Sequence, residues 1–441
     1  MDNATRKPGP IRFKTTFTNT ILEACLNRGW VNVSGTLGGA DTQLSGATAQ
    51  QLTEWDFLWV DREVAWETFD NLHLLSWQRV NHFRNDKELC RKDLLVKNLK
   101  KRRRVLAREG SEEEALSWKD DFWPTTYVLP GEYALFAEDF KRSKSPNTNW
   151  IMKPIGRSQG RGIFIFNKLS QISKWKSDSR WEKTKDDAET YVVQKYIKNP
   201  YLIAGRKFDM RLYVLVTSFM PLTVWIYRAG FCRFSHARYS NAVEDLDDME
   251  PISSQKHLTN VSIQKKTESY DKVFGGKWEL RQLKLHLMGI YGAEKADKMF
   301  WSVQEVILKS LQSVQQVMIN DKHCFELYGY DVLFDDELKP WLLEVNASPS
   351  LSGNTPEDRQ LKQDMLGSVL DIIDLEGQRS GHEVRVGGFD LAFANGQAVT
   401  RARPSQYSTM IGSQIPSCKY GDEREKKEKA SKAAEERAAL A

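Results

Sequence analysis

The chain is poor in the groups that staple folds or hold metals by sequence-local motifs. Its 441 residues include five cysteines, Cys25, Cys90, Cys232, Cys324 and Cys418, and none stand in C-x-x-C spacing. That excludes a zinc ribbon and argues against a disulfide framework; reduced thiols inside the cell are expected. Seven histidines are dispersed and no H-E-x-x-H occurs, which excludes that zinc-hydrolase motif. No apolar run is long enough to span a bilayer, and the opening residues MDNATRKPGPIRFK lack the apolar segment of a signal peptide. A Walker A loop, G-x-x-x-x-G-K-[ST], is also absent.

What is present is enough for a large core: 40% of residues are hydrophobic and 11% aromatic. One compound domain or two to three intimate lobes are expected. The formal charge is only +5, yet Arg91, Lys92, Lys97, Lys100, Lys101, Arg102, Arg103 and Arg104 fall within fourteen residues. Such a run is either a solvated helix face or a docking patch for a polyanion. No nucleic-acid-binding signature accompanies it, so nucleic acid is not the expected partner.

The pattern divides the chain into a flexible start (1–10), an α/β region (11–120), a larger body (121–390) and a charged tail (391–441) that is disordered or helical. Within the first region, 54–60 reads as a strand, 85–104 as a basic helix, and the small polar stretch 36–52 as a flexible insertion. Strands are expected at 150–153, 162–166, 191–197, 209–218 and 222–228. Helical periodicity runs through 277–294, 296–319 and 357–375.

The chemistry concentrates at a predicted hairpin, Tyr328-Gly-Tyr-Asp331-Val-Leu-Phe followed by Pro340-Trp-Leu-Leu-Glu344-Val-Asn346. Side chains alternate along a strand, so Glu344 and Asn346 share a face. A turn near Glu337-Leu338 sets Asp331 opposite Glu344. Two carboxylates and an amide oxygen then converge, hard donors suited to Mg²⁺; the bland alternative is a wet hairpin face. Lys153-Pro154 precedes a loop with three glycines, Gly156, Gly160 and Gly162, and then a strand. Glycines let backbone N–H groups approach phosphates, and a strand-end lysine contacts phosphate as a point charge. The following strand excludes a Rossmann turn, which enters a helix. Lys207, Asp209 and Arg211 alternate on one strand face, which is costly unless they meet ligands or one another. Gln194-Lys195-Tyr196-Ile197 ends a strand and is either a base-binding hinge or ordinary core.

Lys153-Pro154, Gln159-Gly160-Arg161-Gly162, Gly205-Arg206-Lys207-Phe208-Asp209-Met210-Arg211, His257-Leu258-Thr259-Asn260 and Leu343-Glu344-Val345-Asn346-Ala347-Ser348-Pro349 occur in an order that resembles the tubulin–tyrosine-ligase-like enzymes. The likeness covers about residues 12–390, with Asn81-His82-Phe83-Arg84 and Arg91-Lys92-Asp93 in its first part, and is strongest toward the polyglutamylase branch. It implies an ATP-grasp ligase, an α/β (α+β) fold in which a small N-terminal α/β domain precedes central and C-terminal lobes that sandwich ATP. By resemblance, Lys153, Gln159 and Gly160 contact phosphates, Gln194, Lys195, Tyr196 and Ile197 hold adenine, and Lys207, Phe208, Asp209, Thr259 and Asn260 frame the nucleotide. Asp331, Glu344 and Asn346 take Mg²⁺, two ions being expected. Arg228 and Lys362 bind the incoming glutamate, and Lys153, Lys207, Arg211 and Arg228 form the catalytic set. Val261 and Ala347 depart from residues that relatives often carry, Tyr and His.

The implied activity is ATP-dependent ligation of free glutamate to glutamates of tubulin C-terminal tails, through an acyl phosphate. The implied setting is cytoplasmic and cytoskeletal, with ciliary or flagellar axonemes and basal bodies, and with accessory subunits as possible partners. Glycine or tyrosine ligation, and a non-catalytic microtubule scaffold, are the alternatives.

Overall fold

The computed structural model describes residues 9–33, 54–71, 74–142, 148–155, 162–172, 190–240, 257, 259, 277–353, 355–399 and 409–415. The expected insertion 36–52, the end of the tail and the residues Gln159, Gly160, Asn260 and Val261 lie outside these.

The N-terminal part runs β1 (Arg12–Thr15), α1 (Thr20–Asn27), β2 (Val31–Asn32), β3 (Phe57–Trp59), α2 (Arg62–Asn71), β4 (Arg79–Val80), α3 (Lys87–Cys90), α4 (Lys92–Glu109) and α5 (Glu112–Ser117). Its sheet is parallel, in the order β2-β1-β3-β4. The helix expected at 85–104 is two helices, because Arg91 is extended (φ −76, ψ 126) and restarts the chain as the N-cap of α4. Leu95, Val96, Leu99 and Leu106 form the buried stripe of α4, at helical spacing.

A second unit holds β5 (Thr126–Leu129), α6 (Tyr133–Arg142), β6 (Trp150–Pro154), β7 (Phe164–Phe166) and β8 (Tyr191–Lys195). Its antiparallel sheet, β5-β8-β6-β7, has a core of its own built from Leu129, Phe136, Trp150, Met152, Phe166 and Val193.

The largest sheet is antiparallel. It is built from β9 (Leu202–Ile203), β10 (Arg206–Phe219), β11 (Leu222–Phe234), β12 (Lys277–Glu279), β13 (Glu326–Phe334), β14 (Pro340–Asn346), β15 (Arg385–Val386), β16 (Phe389–Ala394) and β17 (Gln397–Ala398). Its main order is β14-β13-β10-β11-β16-β15. Helices α7 (Leu280–Tyr291), α8 (Ala293–Val314) and α9 (Pro356–Ile373) complete the fold. Leu212, Val214 and Val216 of β10 bury against Leu283, Leu287 and Phe300 from α7 and α8. Tyr213 and Leu215, on the opposite face, join Met365, Leu366 and Val369 of α9 and Phe13 and Ile21 of the N-terminal part. Period-two alternation thus makes one sheet serve two cores. Each fully buried leucine contributes roughly 1.5–3 kcal/mol.

The boundary expected at 391 falls inside a strand. β16 crosses that boundary and pairs with β11, Trp225 opposite Leu391. Residues 409–415 also return to the body: the Gly412 N–H donates to the Arg228 carbonyl at 2.8 Å, and Ile411 is buried. Gly412 has φ +70, and a Cβ there would press on Lys284 at 3.1 Å, so this close return needs glycine.

Candidate active site

A cavity of about 600 Å³ opens where the three parts meet. The hairpin β13–β14 forms one wall. As expected, Asp331 pairs in register with Glu344, and Gly329 with Asn346. Leu338 has φ +66 in the turn, where Asp335 and Lys339 close the hairpin. Asp331, Glu344 and Asn346 all line the cavity.

Asp331 is gripped on both oxygens. Arg211 Nε and the second Arg211 terminal nitrogen donate at 2.6 and 3.1 Å, and an Arg233 nitrogen lies 2.8 Å away. Burial pushes this carboxyl up, but the two guanidiniums outweigh it and hold Asp331 well below the usual carboxylate range. It is ionised at any working pH. Arg233 also donates to Asp209, at 2.9 Å through Nε. Glu344 meets Lys92 Nζ at 3.2 Å, from the first turn of α4. Two carboxyl side chains beside an amide, all lining one cavity, are a donor set that fits Mg²⁺.

Lysines line the same cavity. Lys153 Nζ donates to Gln194 Oε1 at 2.7 Å. Lys207 Nζ donates to the Tyr196 hydroxyl and the His257 carbonyl, both at 3.0 Å, and lies over the Tyr196 ring. Burial drives Lys207 down to about 7 against the pull of Asp209, and Lys153 down to about 8 against Glu344. A cavity that holds a buried and a half-buried lysine, both with depressed pKa, is ready for a polyanion, whose charge would restore their protons. Gln194, Lys195, Tyr196, Ile197 and Thr259 also line it. The Lys195 and Tyr196 N–H groups already donate to the carbonyls of Thr125 and Asn149, so this segment offers the cavity its other atoms.

Three expected site residues fall elsewhere. Phe208 points to the opposite face of β10 from Lys207 and packs on Phe234 in the core, with centroids 5.2 Å apart. Lys362 is outside the cavity lining; it bonds Asp358 at 3.1 Å, and Lys277 reaches the same carboxylate at 3.4 Å. Arg228, expected at the incoming glutamate, also lies outside the cavity lining. Phe231 and Tyr227 of β11 join the core on the α9 side, while Arg228 alternates to the other face. There its fork is filled by Asp390, at 2.6 and 2.8 Å, and by the Gln414 carbonyl. The structure does not bring Arg228 together with Lys362 or with the cavity.

Sequence reasoning missed Arg233, whose position opposite Asp209 depends on the β10–β11 register. Lys92 carried no role beyond its basic run. It also missed a buried group behind the cavity: His82, Asp86 and Glu326 present ligand-type atoms within 4.8 Å of one another, the one such grouping among the described residues. His82 Nδ1 lies 2.9 Å from Glu326 Oε1, whose other oxygen accepts from the Phe83 N–H and the Tyr328 hydroxyl. Burial lowers His82 to about 4 and raises both Asp86 and Glu326 to about 8. Arg62, which lines the cavity, stands 3.8 Å from Asp86.

Comparison with known proteins follows this geometry. The probable tubulin polyglutamylase TTLL9 of Mus musculus is 43% identical over 432 residues, covering 91% of this chain and 87% of its own length. The probable tubulin polyglutamylase ttll-9 of Caenorhabditis elegans is 45% identical over 391 residues, covering 88% and 86%. The probable alpha-tubulin polyglutamylase Ttll1 of Tetrahymena thermophila is 39% identical over 404 residues, covering 88% and 94%. The profile of the tubulin-tyrosine ligase family matches residues 70–380, a span that contains the cavity walls from Lys92 to Asn346. The chain belongs to the tubulin-tyrosine ligase family.

Proposed function

We propose that this protein is a tubulin polyglutamylase that uses ATP to join free glutamate to glutamate side chains of tubulin C-terminal tails. The observation that carries the reading is that Asp331 and Glu344, paired across the hairpin, line one cavity with Asn346, Lys153 and Lys207. The names of the relatives support the substrate. In this reading the β5–β8 sheet and the large sheet close on ATP in the ATP-grasp manner. Asp331, Glu344 and Asn346 would hold Mg²⁺, which neutralises phosphate charge when bound.

The chain's own residues do the rest. Lys153 and Lys207 stabilise charge on the phosphates in a water-poor site. Arg211 and Arg233 fix Asp331 in its ionised form. A tail γ-carboxylate attacks the γ-phosphorus of ATP, ADP leaves, and an acyl phosphate forms. The amino group of glutamate then displaces phosphate at the carbonyl carbon and loses a proton, giving an isopeptide bond. Lys277 and Lys362, which share the Asp358 carboxylate outside the cavity lining, would have to release it to take the carboxylates of that glutamate. Microtubule tails imply action on the cytoskeleton, axonemes included, and accessory subunits belong to the same reading.

The test is incorporation of labelled glutamate, glycine and tyrosine into microtubules, with and without ATP. ATP-dependent incorporation of glutamate alone is expected. Incorporation of glycine or tyrosine in its place would move the chain to another branch, and none at all, with accessory subunits supplied, would leave a scaffold.

A further inference from the structure

Helix α4 sorts its cations by face. Lys100 Nζ donates to the Thr126 carbonyl at 2.8 Å, and Arg103 pairs with Asp121 while lying over Trp123. Lys100 ties the helix to β5 and Arg103 ties it to the segment that precedes β5, so neither is a free surface. Lys97, Lys101, Arg104 and Arg108 are exposed, and no ion pair engages them among the described residues. Their spacing of four, three and four residues sets them within roughly 60° of one another at 3.6 residues per turn. They stand directly opposite the buried stripe of Leu95, Leu99 and Leu106. The stripe extends about 17 Å along the helix axis, the reach of about five residues of extended peptide. At the near end of the helix, Arg91 and Lys92 line the cavity.

We propose that Lys97, Lys101, Arg104 and Arg108 form a rail that docks an acidic stretch of the substrate tail, leaving a neighbouring glutamate to enter the cavity past Arg91. The proposal rests on the polyglutamylase reading for the identity of the tail. Its physical basis is charge complementarity: four unneutralised cations in line hold a polyanionic extended chain better than any single ion pair, and they do so in a salt-dependent way. Because the rail starts about one and a half helical turns beyond Arg91, it selects tails whose acidic run lies some residues away from the acceptor. The rail therefore governs which glutamate is modified, while the cavity governs the chemistry.

The test is co-sedimentation of the full chain with intact microtubules and with microtubules whose tails have been removed by proteolysis, across a salt series. The variant is K97Q/K101Q/R104Q/R108Q, with K101Q/R104Q as a milder second variant and K97R/K101R as a charge-preserving control. ATP affinity and the melting temperature report on folding. Glutamine substitution should weaken binding to intact microtubules by about tenfold, flatten the salt dependence and leave binding to tail-less microtubules unchanged, while K97R/K101R binds like the wild type. Unchanged affinity and salt slope in both glutamine variants would overturn the rail. So would an equal loss on tail-less microtubules, or a loss seen only on anionic phosphatidylserine vesicles. Since the readout is binding, a protein that docks through the rail yet ligates no glutamate would sink the enzymatic reading and keep the rail.

Discussion

Replacing Glu344 by glutamine keeps the side-chain shape but removes a charge from the wall that faces Lys153 and Lys92. Glutamate incorporation should fall by about 100-fold or more, with the melting temperature nearly unchanged, since this is a ligand position and not a packing one. Arg228 behaves in the opposite way. Its buried pairing with Asp390 means that Arg228→Ala strands a carboxylate, at a cost of about 3–5 kcal/mol of stability read by urea unfolding, with the KM for glutamate unchanged in whatever protein remains folded. Lys207 and Lys153 give a pH signature. Near pH 8 Lys207, at about 7, is mostly neutral and Lys153, at about 8, is half charged. A bound triphosphate favours the ammonium forms, so ATP binding takes up protons and weakens as pH rises from 7 to 9. Calorimetry in two buffers of different ionisation enthalpy measures this uptake, and Lys207→Met should reduce it. The alternation of Lys207, Asp209 and Arg211 was legible in the sequence because it needs only strand geometry. The face of Arg228 was not, because β10 and β11 change register between Leu212 and Val214.

At the scale of elements, the hairpin β13–β14 was readable in outline, with Asp331 roughly opposite Glu344; the exact pairing rests on a register shift between Asp331 and Val332 that alternation and the turn do not specify. The break between α3 and α4 was not, since no proline or glycine marks Arg91. Nor was the group that fastens this corner to β13, because His82 and Asp86 are far from Glu326 in sequence and meet only after folding. Asp86 and Glu326 have folded pKa values raised to about 8. Their contribution to stability is complete below the ordinary carboxylate range and is lost as pH rises through about 8. The melting temperature of the wild type should therefore drop relative to that of Glu326→Gln between pH 5 and pH 9. Taking the difference between the two proteins cancels the lysines, whose depressed pKa values act with opposite sign. Parallel curves would show that the carboxyls are not protonated in the fold.

For the molecule as a whole, the β5–β8 unit carries its own small core, meets α4 through polar ties such as Lys100 to Thr126, and turns Lys153 toward the shared cavity. A ligand that touches both Lys153 and Glu344 bridges the two bodies. Saturating ATP with Mg²⁺ should therefore slow hydrogen exchange most in β6 and β8. It should also stabilise the protein by ~2.7 kcal/mol at a hundredfold excess over Kd. Uniform protection across all sheets would argue against closure. The split of the body 121–390 into a β5–β8 unit with its own core and the large sheet was not visible as a shift in composition, nor was the meeting point of the parts, because the Lys92–Glu344 contact belongs to tertiary structure alone.

The pairing of β16 with β11 has a practical consequence for anyone trimming the gene. A chain stopped at Asp390, the boundary expected from the sequence pattern, would lose Leu391 and Phe393, the partners of Trp225 and Val224. Strand β11 would then present an unzipped, hydrophobic margin, the kind of border that recruits a neighbour's strand and drives material into inclusion bodies. A stop placed after 415 keeps that margin covered and keeps Gly412 on the Arg228 carbonyl. Solubility of the two truncations on expression would reveal the difference before any assay is run.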